Sequence, residues 1–302
     1  MQTHAPSSLL DTLTHISLDD LMGSMGLAKL NRTPLRWLFW PAARRFAKMV
    51  CEFDRRVGTD TLALASHWLL TKMSGGLQVL GSTQVPSTGA VLILSNHPGM
   101  TDTVALFASL AARPDLMVIA MDRPFLRALP HVARHLIFVP DSEAGRLAVV
   151  RAGTRHLKQG GVLLTFPAGK IEADPAAFGM DMAVVTLKSW STSHEVFARF
   201  VPHARLLPVI VSQVISHKAL AHPLTRLRRS QQDKEMLAAS LQVMFSTWHK
   251  LPVKVCFGVA VPASTAGAAR ADSIVDQAAQ LIASSCAPVC ATPEMPHVKP
   301  AH

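Results

Sequence analysis

The chain has 302 residues, with 30 Lys or Arg against 20 Asp or Glu, a formal charge of +10. Hydrophobic residues make up 49% and charged ones only 17%, too oily for an intrinsically disordered chain, and four cysteines exclude a disulfide-dense scaffold. The length fits one large domain or two ordinary ones, and the positive surplus leaves three classes of partner: nucleic acid, an anionic membrane surface or a small anionic substrate.

The first twenty residues have no basic region followed by an apolar run, so no signal peptide is expected. The longest apolar runs, at 91–94, 147–150, 206–211 and the interrupted 61–70, fall well short of the roughly 20 residues a spanning helix needs. From Pro34, the residues Leu35, Leu38, Phe39, Ala42, Ala43, Phe46, Met49 and Val50 follow helical spacing. Thr33 is the expected cap, Pro34 the first helical residue, and Pro41 should kink or split the helix. Residues 28–56 carry eight basic side chains and two acids. A basic amphipathic helix with Trp37 and Trp40 suits a membrane interface, and equally suits docking on a core by its apolar stripe.

From residue 81 strands and helices alternate. Strands are expected at 91–94, 116–121, 136–139, 162–166, 206–212 and 253–261. Helices are expected at 101–112, at 142–158 with Ser142 as cap and Gly160-Gly161 as stop, at 231–249 and at 270–285. This order predicts an α/β fold, a layered mixed sheet flanked by helices, with a helical N-terminal segment. The divisions expected are 1–75, helical, basic and membrane-docking; 76–285, the α/β domain; and 286–302, a loose Pro- and His-containing tail. Cys51, Cys256, Cys286 and Cys290 lack metal-ligand spacing, so no metal is expected and a reducing compartment is the default.

The chain has no G-x-S-x-G, no phosphate-binding G-x-x-x-x-G-K, no G-x-G-x-x-G and no H-E-x-x-H. Directly after the buried strand at 91–94 comes Ser95-Asn96-His97-Pro98-Gly99-Met100-Thr101-Asp102. Open α/β sheets place their sites in loops at the C-terminal ends of strands. Pro98-Gly99 forces a turn that exposes His97, and Asp102 falls in the first turn of the next helix, within reach of the imidazole. A carboxylate behind a histidine fixes its tautomer and stabilises the imidazolium. No neighbouring side chain is a nucleophile, so the base would act on a hydroxyl of the substrate. Taken alone, one His and one Asp five apart also fit a solvated or capping histidine.

A second unit, Phe166-Pro167-Ala168-Gly169-Lys170-Ile171-Glu172, comes after the strand at 162–165. Gly169 allows close backbone approach and Lys170 suits an anion; a plain strand-to-loop turn is the alternative. A further acid-free run at 216–230 holds Lys218, Arg226, Arg228 and Arg229 with His217 and His222. With 6% aromatics and no recognisable nucleic-acid module, contact with anionic lipid, an acidic carrier protein or CoA phosphates competes with a solvated loop. Residues 28–56 and 216–230 together account for a net charge equal to that of the whole chain.

The ordered pair, N-H-x4-D followed 72 residues after His97 by the glycine of F-P-x-G, resembles the glycerolipid acyltransferase superfamily of lysophospholipid and 1-acylglycerol-3-phosphate acyltransferases. The first motif is matched in full by Asn96, His97 and Asp102, the third (F-P-E-G-T-R) by Phe166, Pro167 and Gly169, with Ala168 for Glu and Lys170 for Thr. Pro208-Val209-Ile210 resembles the fourth, which precedes a strand. The resemblance spans roughly residues 76–262. The Arg that usually closes the second motif and binds the acceptor's phosphate is absent from residues 137–141, and Arg146 comes five residues later.

The resemblance implies an O-acyltransferase that moves a fatty acyl group from acyl-CoA or acyl-carrier protein, as co-substrate and without a cofactor, to a hydroxyl of a lyso-lipid acceptor. His97 would be general base, Asp102 its orienting acid, and Asn96, Phe166, Pro167, Gly169, Lys170 and Arg146 would bind substrate, with backbone amides near Gly169 positioning the acceptor or stabilising charge. The partners implied are an anionic membrane surface, the lyso-lipid and the acyl carrier, with nucleic acid excluded, and the location a peripheral one on the cytoplasmic face of a membrane. Acylation of a non-glycerolipid hydroxyl, or a catalytically idle lipid-binding protein on this fold, are the competing expectations.

Overall fold

Three helices precede the first strand in the computed structural model, which describes residues 8–286 except Met100, Asp141, Ser246, Thr247, Thr265 and Ala266. They are α1 (Leu9–Ser24), α2 (Arg36–Thr59) and α3 (Leu62–Met73). Ser8 and Thr61 cap α1 and α3, their hydroxyls accepting the amides of Asp11 and Leu64 at 3.2 Å. α2 begins two residues later than expected, after an uncapped turn, and Pro41 does not split it. Pro41 lies in the second turn, where its missing N–H costs a single helical bond, to the carbonyl of Trp37. Among the described residues no helix is long and apolar enough to cross a membrane.

The sheet domain then runs β1 (Leu77–Leu80), β2 (Val91–Ser95), α4 (Asp102–Ser109), β3 (Leu116–Met121), α5 (Pro124–Arg127), β4 (Leu136–Val139), α6 (Glu143–Lys158) and β5 (Val162–Thr165). It continues through α7 (Pro175–Phe178), α8 (Met180–Leu187), α9 (Ser193–Phe200), β6 (Arg205–Ser212), α10 (His217–Ala221), α11 (Pro223–Arg226), α12 (Gln231–Met244), β7 (Val253–Phe257), β8 (Val261–Pro262) and α13 (Gly267–Cys286). The single strand expected at 253–261 is two, interrupted at Gly258. That residue packs against Pro208 and leaves no room for a Cβ. The helix expected at 231–249 stops at Met244. Pro208 does not precede a strand but sits within β6, paired with Leu94. The tail expected at 286–302 lies, but for Cys286, outside the described residues.

The strands form one mixed sheet in the order β1-β7-β6-β2-β5-β3-β4, with β8 pairing β6 at the side. β6, β2, β5, β3 and β4 are mutually parallel; β7 and β8 run antiparallel to β6. Every residue of β2 is buried, the continuous apolar pattern of a strand covered on both faces. Val91 and Ile93 face a core shared with Ala47, Val50 and Phe53 of α2 and Leu69 and Leu70 of α3. Leu92 and Leu94 face a second core with Leu163, Phe197 and Ile274. The N-terminal helices therefore pack on one sheet face through their apolar stripe.

Because the five parallel strands point the same way, the loops after β2, β5, β3, β4 and β6 emerge on one edge of the sheet. At the opposite edge the buried Arg113 guanidinium donates to the carbonyls of Pro86, Gly89 and Gly160 and pairs with Asp115 at 2.7 Å. It ties together the segments that enter β2, β3 and β5.

Each basic segment is tied to a helix outside it. Arg228, just beyond α11, donates to the carbonyl of Met25 at the end of α1 at 2.7 Å. Arg45 of α2 donates to the carbonyls of Val243 and Met244 at the end of α12.

Candidate active site

β2 ends at Ser95, and the chain turns at once. Gly99 has φ +88°, a conformation that favours glycine, and a Cβ there would crowd Ile171 at 3.2 Å. The turn brings Asp102, first residue of α4, back beneath His97: Nδ1 of His97 lies 2.7 Å from Oδ2 of Asp102. That oxygen also accepts the Gly99 amide at 2.8 Å, and Oδ1 accepts the Thr103 hydroxyl at 3.0 Å and the Thr103 amide. An ionised carboxylate holding these donors assigns the proton to Nδ1 of the neutral imidazole and leaves Nε2 as the basic nitrogen. The side chain of His97 is 29% exposed and that of Asp102 only 2%.

Asn96 is buried and spends its amide on β6: its Oδ1 accepts the Val211 amide at 2.7 Å and its Nδ2 donates to the Val211 carbonyl at 2.9 Å. It prolongs the β2–β6 pairing by one step and fixes where the loop after β2 begins.

The loop after β5 packs under the loop after β2. The Phe166 ring stacks on the His97 imidazole, centroids 4.4 Å apart. Pro167 is buried and its carbonyl accepts the Ser191 amide at 3.0 Å. Gly169, at φ +62°, closes the turn with its own amide on the Phe166 carbonyl at 3.0 Å. Gly169's own amide is therefore spent inside the loop. Lys170 is exposed at the tip of this loop, and Arg146 is exposed near the start of α6. Both stand on the sheet edge that carries His97, without a carboxylate partner among the described residues.

Two acids that sequence reasoning passed over hold this edge together. The side chain of Glu172, 1% exposed, accepts the His97 amide at 2.9 Å and the Trp190 indole N–H at 2.8 Å, and the Glu172 amide donates to the His97 carbonyl at 2.8 Å. Asp174 accepts the amides of Ala176, Gln213, Val214 and Ile215 at 2.8–3.0 Å. It locks the turn after β6, where Gln213 is held at φ +61°.

The electrostatics follow from burial and charge. Burial works against the His97 imidazolium, but the Asp102 charge, the hydrogen bond to it and the Glu172 charge outweigh this and raise the pKa above its ordinary value. Burial also opposes the Asp102 carboxylate, yet His97 and the donors on both its oxygens keep its pKa below the ordinary value. Glu172 goes the other way: burial outweighs the Trp190 and His97 donors and pushes it up to about 7. Chemically the arrangement is a partly exposed base with a fixed tautomer, an aromatic platform beside it and two exposed cations on the same edge. Among the described residues no three His, Cys, Asp or Glu side chains are grouped to hold a metal ion.

Comparison with known proteins bears on the same residues. The protein-family model described as Acyltransferase matches residues 76–204, the stretch that contains both loops. No curated protein matches the chain. A solved structure similar to it is that of the 1-acyl-sn-glycerophosphate (LPA) acyltransferase PlsC from Thermotoga maritima, with 15% identity, a TM-score of 0.44, and coverage of 93% of this chain and 95% of that one. The stretch that matches the Acyltransferase model, residues 76–204, holds both His97–Asp102 and Phe166–Gly169.

Proposed function

We propose that this protein transfers a fatty acyl group from the thioester of acyl-CoA or acyl-carrier protein to a hydroxyl of a lyso-lipid, with His97 as general base. The observation that carries this reading is the 2.7 Å contact from Nδ1 of His97 to the buried Asp102, on a strand-end loop within the matched family region. Nε2 takes the proton of the acceptor hydroxyl as its oxygen attacks the thioester carbonyl. The tetrahedral intermediate collapses with cleavage of the C–S bond, and the imidazolium returns the proton to the departing thiolate. Transfer is direct, with no acyl-enzyme and no cofactor. Lys170 and Arg146 supply exposed positive charge for an anionic headgroup or for the phosphates of the donor.

The acceptor and the product are amphiphiles, so the enzyme works at a membrane surface. Trp37 is 64% exposed, Leu38 70% and Leu227 79%; in sequence Lys29, Arg32 and Arg36 precede the first two, and Arg226 and Arg229 flank the third. Exposed apolar side chains interleaved with cations suit peripheral docking on anionic lipid. Arg228 reaches the end of α1 and Arg45 the end of α12, and α1 packs on α12.

The test is a panel of lyso-lipids and non-lipid alcohols offered with acyl-CoA and with acyl-carrier protein, scored by free-thiol release and by mass of the product. Acceptor-dependent thiol release with a matching acylated lyso-lipid supports the reading. Release only with non-lipid alcohols, or none with any acceptor, overturns it.

A further inference from the structure

We propose that Glu172 is a positioning residue that brackets His97 and holds its ring for proton transfer, an inference that rests on the reading of His97 as the base. Two observations carry it. First, Glu172 grips His97 on both sides of its backbone: the carboxylate takes the His97 amide, and the Glu172 amide feeds the His97 carbonyl. This double bridge joins the loops after β2 and β5 across 75 residues of sequence. Second, two N–H donors converge on the carboxylate, one from His97 at 2.9 Å and one from Trp190 at 2.8 Å. Only a group with acceptors on both oxygens satisfies both donors. A glutamine of identical shape turns its NH2 toward one of them.

The position has an electrostatic consequence as well. The ionisable groups acting on the Glu172 carboxyl are His97, in the loop after β2, and Asp102, at the start of α4. Ionised Glu172 in turn adds to the field that favours the imidazolium. Ala168 stands where the superfamily carries a glutamate, and the acid of this loop, Glu172, lies four residues on, buried against the backbone of His97.

The experiment is Glu172→Gln, Trp190→Phe and the double variant, in the full-length chain, with acyl transfer followed across pH and the imidazole titration of His97 followed by NMR. The His97 signal is assigned by its absence in His97→Ala. Glu172→Gln is expected to lower kcat by up to about 10²-fold, the scale of a misplaced reacting group, with KM little changed. It should also move the acid limb and the His97 titration to lower pH. In the Trp190→Phe background one donor is gone, so the same change should cost less. Equal losses in both backgrounds, or a Glu172→Gln variant with wild-type kcat and His97 titration, overturn the inference. If the wild type transfers no acyl group, the reading of function fails separately. The NMR titration then decides this one: a downward shift in Glu172→Gln upholds it and no shift refutes it. Should Glu172→Gln lose its cooperative melt, the double variant compared with Trp190→Phe carries the same measurements.

Discussion

The Nδ1 of His97 and Oδ2 of Asp102 are 2.7 Å apart, and the oxygen that holds the imidazole is the one that also accepts the Gly99 amide. One carboxylate oxygen thus holds both the imidazole and the turn, so the ring orientation and the loop shape share an anchor.

The first prediction concerns this pair. A base must be neutral to act, so kcat/KM should fall as pH drops through the raised pKa of His97. Asp102→Asn removes the charge and the hydrogen bond that raise it. The plateau rate should drop by roughly 10²–10⁴-fold, and the acid limb should move to lower pH. A pH–rate profile with the limb unmoved would contradict the assignment of that limb to His97.

Membrane docking predicts a salt-dependent partition. The purified protein should sediment with anionic liposomes and be released at high salt, since exposed cations near a charged surface contribute about 1 kcal/mol each and are screened. Replacing both Trp37 and Leu38 with Ser should weaken binding at low salt by roughly tenfold or more, the loss of their apolar contact. Equal binding to neutral liposomes at high salt speaks against the electrostatic part of this account.

Glu235 in α12 yields a stability prediction. It is buried, accepts one hydrogen bond from Gln231 at 2.8 Å, and burial pushes its pKa from 4.5 up to about 7. A raised acid favours the protonated folded state, so its cost is absent below about pH 4.5, grows as pH rises toward 7 and is full above 7. Glu235→Gln keeps the acceptor and removes the charge. It should stabilise the protein at pH 8 by up to about 3 kcal/mol, with the gain vanishing near pH 4.5. Urea melts at the two pH values check this, and a variant less stable at pH 8 refutes it.

Asp54 gives a simpler case. Its buried carboxylate in α2 accepts the amides of His131 and Val132 at 3.0 and 2.9 Å, tying the N-terminal helices to the segment before β4. Asp54→Ala leaves both donors unmet and should cost about 2–4 kcal/mol. A change of only a few tenths in the denaturant midpoint energy would show that water replaces the carboxylate.

Much of this fold is legible in sequence where local signals suffice. The strands at Leu116–Met121 and Leu136–Val139 and the Ser142-capped helix have the expected bounds, because buried apolar runs and a cap residue are local properties. α1 escapes notice because Thr14 and Ser17 lie on its buried stripe and blur the helical period. Pro208 within β6 is a tertiary matter: its carbonyl accepts the Gly258 amide where β6 and β7 meet. In the site, His97 and Asp102 are five residues apart and their contact can be foreseen. Glu172 cannot, since an acid after a Pro–Gly turn reads as solvated until the fold places it under a histidine 75 residues earlier.

The most direct test of the central claim is the rate of acceptor-dependent thiol release from an acyl thioester by the wild-type protein and by His97→Ala, with near-ultraviolet circular dichroism to confirm that the fold is kept. The account predicts that the variant retains its spectrum and loses roughly 10²–10⁴-fold in rate. A folded His97→Ala protein that still transfers acyl groups at close to the wild-type rate would contradict it.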